Sequence, residues 1–160
     1  MITHSLWPAA VALLLTPACV VHVRDGEIQM QRDAHRAVST SAAPLPQAHY
    51  SQAIVVDDTL YASGQIGIDP RTGEIVPGGT AAETRQALEN LRQVLEAGGF
   101  SFADVAQAQV FLADMDDFAD MNAVYAGYFP GSPPARAAVA VAALPKGARV
   151  EILLVARRRD

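Results

Sequence analysis

The chain has 160 residues, a formal net charge of -5, and is 51% hydrophobic and 18% charged. That composition supplies a core, excludes a disordered polyampholyte, and fits one domain with an appendage. The acidic balance gives no electrostatic support for nucleic-acid binding. One cysteine, Cys19, excludes an internal disulfide, and none of the four histidines has ligand spacing, so no metal site is expected.

Trp7 to Ala18 is an apolar run ahead of Cys19. It falls short of the roughly 20 residues a membrane-spanning helix needs. It fits the apolar middle of a secretory signal, and Leu15-Thr16-Pro17-Ala18-Cys19 resembles a lipoprotein cleavage box. Residues 1–19 are therefore assigned to a signal or lipobox-like segment, with Cys19 as the lipidation site and a periplasmic or membrane-anchored product. An uncleaved extension on a cytoplasmic protein is the alternative. Met1 to Leu6 carries no lysine or arginine, which weighs against export. Residues 20–41 are assigned to a linker and 42–160 to the folded domain. The composition of Ser39 to Pro46 is that of a linker, and about 25 flexible residues would reach roughly 25–30 Å.

Ala53–Val56 and Leu60–Ser63 flank Asp57-Asp58 and predict a hairpin. Gly64, Gly67 and Asp69 to Gly73 mark loop or bulge positions, and Glu74–Val76 a short strand. Thr80-Ala81-Ala82-Glu83 has the form of a capping box before a helix over 80–97, which Gly98-Gly99 stops. Val105–Ala113 predicts a strand. Asp116 or Asp117 caps a second helix with Phe118, Met121, Tyr125 and Tyr128 on one stripe. Strands over 136–143 and 149–156 close the chain. The order ββ(β)αβαββ predicts an α+β fold, a mixed sheet with both helices packed on one face. The other face carries too much apolar surface for water, so self-association is expected.

Two charges stand out in the last two runs. Strand alternation puts Arg136 on a face with Ala138, Ala140 and Ala142, and Glu151 with Leu153 and Val155. A charge there must be paired, line a cavity, or cost stability. The two could pair with each other, and Glu151 could instead pair with Arg149.

Pro134-Ala135-Arg136, Val139, Leu144-Pro145 and Val150-Glu151-Ile152 resemble the C-terminal signature of the RidA/YjgF family of enamine/imine deaminases. Tyr50-Ser51-Gln52-Ala53, Ser63-Gly64-Gln65-Ile66 and Val110 to Met115 extend the resemblance over roughly residues 42 to 157. It implies a chorismate mutase-like, trimeric barrel-like core with three sites in the subunit clefts. It also implies cofactor-free hydrolysis of 2-aminoacrylate-type enamines and 2-imino acids to 2-oxo acids and ammonia. Arg136 would clamp the substrate carboxylate, since its planar fork makes two charge-assisted hydrogen bonds. Glu151 would position or deprotonate water. Tyr50, Gly64 and Asn122 would line the substrate site; packed aromatic, turn glycine and surface amide are their plain alternatives. Ala137 and Ala138 stand where many relatives have Ser and Cys, and His49 where a proline is common. A non-catalytic binder of small carboxylates on the same trimer is the second reading. RNA cleavage is disfavoured by the acidic balance and the lack of a basic aromatic face.

Overall fold

The computed structural model describes residues 19–24, 27–32 and 35–158, with side chains from 35 onward. The signal-like run and the cleavage box up to Ala18 lie outside the described residues. The chain divides into two units, Met1–Asp33 and Ala34–Asp160. In the first, β1 (Cys19–Arg24) pairs antiparallel with β2 (Glu27–Arg32). A third strand, β3 (His35–Val38), opens the second unit. The span read as a linker thus holds a hairpin and a sheet strand. Their mixed polarity shows no sustained period, so the sequence reading found no strand there.

The second unit is one mixed sheet. After β3 come β4 (Ala53–Val56), β5 (Thr59–Ala62) and the two-residue β6 (Gln65–Ile66). Helix α1 (Gly79–Gly98), β7 (Val105–Leu112), α2 (Phe118–Ala126), β8 (Ala135–Ala140) and β9 (Val150–Arg157) follow. The spatial order is β3-β4-β5-β9-β7-β8, with β6 also pairing β9. Only β7 and β8 run parallel, and α2 is the crossover between them.

Both helices cover the same face. Leu88, Leu91 and Leu95 of α1, and Met121 and Tyr125 of α2, join Leu60, Val110, Ile152 and Leu154 in one buried cluster. The mixed sheet with both helices on one face matches the expectation, but β3 is added at one edge, Glu74–Val76 forms only an isolated bridge through Ile75, and the short strand lies instead at Gln65–Ile66. None of the described helices is long and apolar enough to cross a membrane.

The start of α1 differs from the sequence reading. Gly78, at φ 117°, is the cap, and Thr80 already lies inside the helix with its hydroxyl buried and unpartnered. Glu83 does not turn back to cap the helix; its Oε2 accepts the backbone N–H of Arg149 at 2.8 Å. The pattern of a capping box is present, but the backbone just ahead of β9 captures the glutamate. The reciprocal capping box forms instead at Ser101 and Asp104. At the other end Gly99, at φ 82°, donates its N–H back to Leu95 and Glu96, as expected of a glycine stop.

Candidate active site

Glu151 is half-buried on β9, opposite Ile66 of β6 and Phe111 of β7. Its carboxylate lies against the backbone of Gly64, so closely that a Cβ at Gly64 would collide with Oε1. Glycine is needed there for close approach, not for a turn. Burial raises the pKa of Glu151 above its ordinary 4.5. Within one chain desolvation decides the balance that the sequence leaves open, since that chain's own Arg136 does not enter it.

Beside Glu151 is a cavity of about 280 Å³. Tyr50, Ser63 and Gly64 line it with Glu151, and Pro44, Ile66, Ile68 and Pro145 form its apolar wall. Tyr50 is 48% exposed, and its hydroxyl accepts the Gln47 N–H at 3.4 Å. The Ser63 hydroxyl donates to the Ser51 carbonyl at 2.7 Å, which ties the cavity rim to the chain before β4.

Arg136 is elsewhere. On β8 it sits opposite Ala108, a fully buried residue of β7, on the helix side of the sheet. Ala108 and Phe111 are three positions apart on one strand, so their partners Arg136 and Glu151 project from opposite faces. An Arg136–Glu151 ion pair within one chain is thereby excluded. Arg136 donates from Nη2 to Asn122 Oδ1 at 2.9 Å, and its guanidinium lies 4.5 Å from the Tyr125 ring centroid and 5.6 Å from that of Phe118. Arg136 also lines a second cavity, of about 450 Å³, together with Asn122, Tyr125, Phe129 and Pro134. Burial pushes the Tyr125 phenol up to about 12, against the opposing pull of Arg136, and its hydroxyl has no partner. Arg149 pairs with Asp117 at 3.1 Å and not with Glu151.

So Tyr50, Gly64 and Glu151 come together as one group, and Asn122 and Arg136 as another. Within a single chain the five do not share a cleft. Among the described residues no group of three or more His, Cys, Asp or Glu could hold a metal ion.

Sequence reasoning missed four supporting side chains. Gln52, Glu83, Thr84 and Asn90 are almost completely buried. Gln52 lies in a quoted motif but was given no role. Glu83 and Asn90 share the buried stripe of α1 with Ala87 and Val94. A polar residue at a core position of an amphipathic helix is the signal that marks them, since burial requires a partner.

A family model described as Endoribonuclease L-PSP matches residues 40–158. The chain is 53% identical over 121 residues to the 2-iminobutanoate/2-iminopropanoate deaminase of Rattus norvegicus, covering 76% of this chain and 88% of that protein. A crystal structure of a putative endoribonuclease from Thermotoga maritima superposes with a TM-score of 0.76 at 47% identity, over 78% of this chain and 98% of that one. E. coli TdcF with bound serine superposes at 0.74 and 35% identity, over 78% and 99%. The chain therefore belongs to the Endoribonuclease L-PSP family, the RidA/YjgF family that its C-terminal signature resembles.

Proposed function

We propose that this protein hydrolyses 2-imino acids, and the enamines that tautomerise to them, to 2-oxo acids and ammonia. Water adds to the C=N carbon while one of its protons goes to the nitrogen, giving a carbinolamine; the C–N bond then breaks as the carbinolamine hydroxyl passes its proton to the nitrogen, leaving a C=O group and ammonia. The observation that carries this reading is Glu151, a desolvated carboxylate held against Gly64 on the wall of a cavity. A carboxylate of raised pKa is a competent base for the attacking water and a competent acid toward the departing nitrogen. Arg136 supplies the charge-assisted fork for the substrate carboxylate. The deaminase relative and the serine-bound neighbour support a small carboxylate-bearing substrate.

The site is completed between chains of a homotrimer. Glu151 and Arg136 project from opposite faces, so one chain supplies half of the chemistry to each cleft. The open face of the sheet carries Tyr61 and Val139, 51% and 48% exposed, beside Phe111, Leu153 and Val155. That surface favours self-association. Sedimentation equilibrium should return the mass of three chains.

The test of function is release of 2-oxo acid and ammonia from freshly generated 2-iminobutanoate, with wild type, Arg136→Ala and Glu151→Ala side by side. Wild type accelerates release and both variants lose it. Binding of 2-oxo acids without acceleration would favour the non-catalytic reading. RNA cleavage has the net charge of -5 against it.

Export through residues 1–19 and lipidation at Cys19, with a periplasmic or membrane-tethered product, stay part of the proposal on sequence grounds. A mass spectrum of the mature N-terminus tests them; an intact Met1 overturns both.

A further inference from the structure

The apolar wall of the Glu151 cavity is held from behind by two buried side-chain amides. Gln52, 1% exposed, donates from Nε2 to the carbonyls of Pro44 at 2.9 Å, Thr40 at 3.0 Å and Ala43 at 3.4 Å. Its Oε1 accepts the Thr40 N–H at 2.7 Å. Both ends of the amide are thus used on one irregular segment, which carries Pro44 into the cavity wall. Asn90 of α1, also 1% exposed, donates from Nδ2 to the carbonyls of Ile68 at 2.9 Å and Ile66 at 3.3 Å. Gln86 Nε2 donates to its Oδ1 at 2.9 Å, which fixes the orientation of the amide. Ile66 and Ile68 line the same wall.

Neither segment has a full ladder of its own. Residues 39–52 contain no strand or helix, and β6 is two residues long. Without the amides, five backbone carbonyls behind the wall would lose side-chain donors in a largely buried setting, where unmade hydrogen bonds are costly.

We infer that Gln52 and Asn90 are positioning residues that set the depth of this wall and so select the substrate side chain, admitting short unbranched apolar groups and excluding branched ones. The inference rests on the proposed deaminase reading for the identity of the substrate, though not for the existence of the slot. Ile66 of this wall is the register partner of Glu151, so wall and carboxylate are neighbours. A methyl side chain presses least on the wall, and its kcat therefore reports whether Glu151 has moved with it.

The test uses Gln52→Glu and Asn90→Asp, which keep size but replace donors by acceptors, on the full chain. The readout is kcat and KM for imino acids with methyl, ethyl and isobutyl side chains. Wild type should prefer ethyl over isobutyl by about a hundredfold, on the scale of misfit in an apolar pocket. Each variant should raise KM for the ethyl substrate about tenfold and flatten that preference by a similar factor, with kcat for the methyl substrate within about threefold. An unchanged preference with only a lowered Tm overturns the inference, because an amide that merely supports the fold would give that pattern. Ile68→Ala, which opens the wall from the front, should flatten the preference in the same direction. It decides the matter if the amide variants do not fold, and an unchanged preference in it overturns the inference. Calorimetry with the matching 2-oxo acids separates the two proposals. A wild type that binds them with a length preference but hydrolyses no imine keeps the wall inference and removes the deaminase reading. A wild type that hydrolyses all three side chains equally well does the reverse.

Discussion

The two cavities differ in how much of their geometry one chain supplies. The Glu151 cavity is enclosed by segments that buried Gln52 and Asn90 tie down, and its carboxylate rests on a glycine that no other residue could replace without a collision. The Arg136 cavity is open along β8, whose residues are mostly exposed, and its arginine is steadied by Asn122 and the Tyr125 ring. One half-site is preorganised inside the subunit, while the other is aimed outward. On the proposed roles, the charge that acts as base is built into the core edge, and the charge that captures the substrate anion stays where solvent can reach it.

The largest expected effect tests the first half. Glu151→Gln keeps the shape of the side chain but removes the base, and the hydrolysis rate should fall about a thousandfold in steady-state assays. The wild-type rate should fall as pH drops through the raised pKa of Glu151, and the variant should lack that limb. Stability should move the other way. The folded state holds the Glu151 proton more tightly than the unfolded chain does, so stability falls as pH rises between the ordinary 4.5 and the raised folded value, and is flat above it. Thermal melts of wild type and Glu151→Gln across that window should differ in slope in this sense; equal slopes would mean the carboxylate is not desolvated.

Gly64→Ala is next. The added Cβ must displace Oε1 of Glu151, and the expected cost is about a hundredfold in kcat, together with roughly 1–3 kcal/mol of stability by chemical denaturation. A variant at full activity would show that the glycine is only a loop residue. On the other side, Arg136→Lys retains charge but loses the planar fork, and kcat/KM should fall about tenfold, almost entirely through KM. A fall confined to kcat would place Arg136 in the chemical step and erase the contrast between the half-sites. The smallest effect is expected at Tyr125→Phe. It removes a buried hydroxyl that has no partner and retains the ring beneath Arg136, so stability should hold or rise by up to about 1 kcal/mol. A loss of 2 kcal/mol or more, read from the same denaturation curves, would mean that this hydroxyl is satisfied in the assembled protein.

Particular residues show what was legible in the chain. The hairpin around Asp57-Asp58, the glycine stop of α1 and the Phe118–Met121–Tyr125 stripe were all visible, because each is a local pattern with a local cause. The strand β3 and the β1–β2 pair were not, since short runs of mixed polarity leave no sustained period to read. Thr80 and Glu83 carried the right letters for a cap, yet the Arg149 N–H just ahead of β9 claimed the glutamate. Gln52 and Asn90 could have been flagged as polar residues at buried positions, but not the carbonyls they hold, which lie 8 to 24 positions away.

The sequence by itself determined that Arg136 and Glu151 were charges in need of a purpose, that Gly64 marked a break after the first hairpin, and that one face of a mixed sheet would be left apolar. Alternation along a strand decides such things, and alternation is written in the chain. Only the tertiary structure decided that the two charges face opposite ways and that Glu151 rests on Gly64. Facing depends on register between β7, β8 and β9, and close approach depends on which backbones the core brings within van der Waals distance; neither is carried by any one segment.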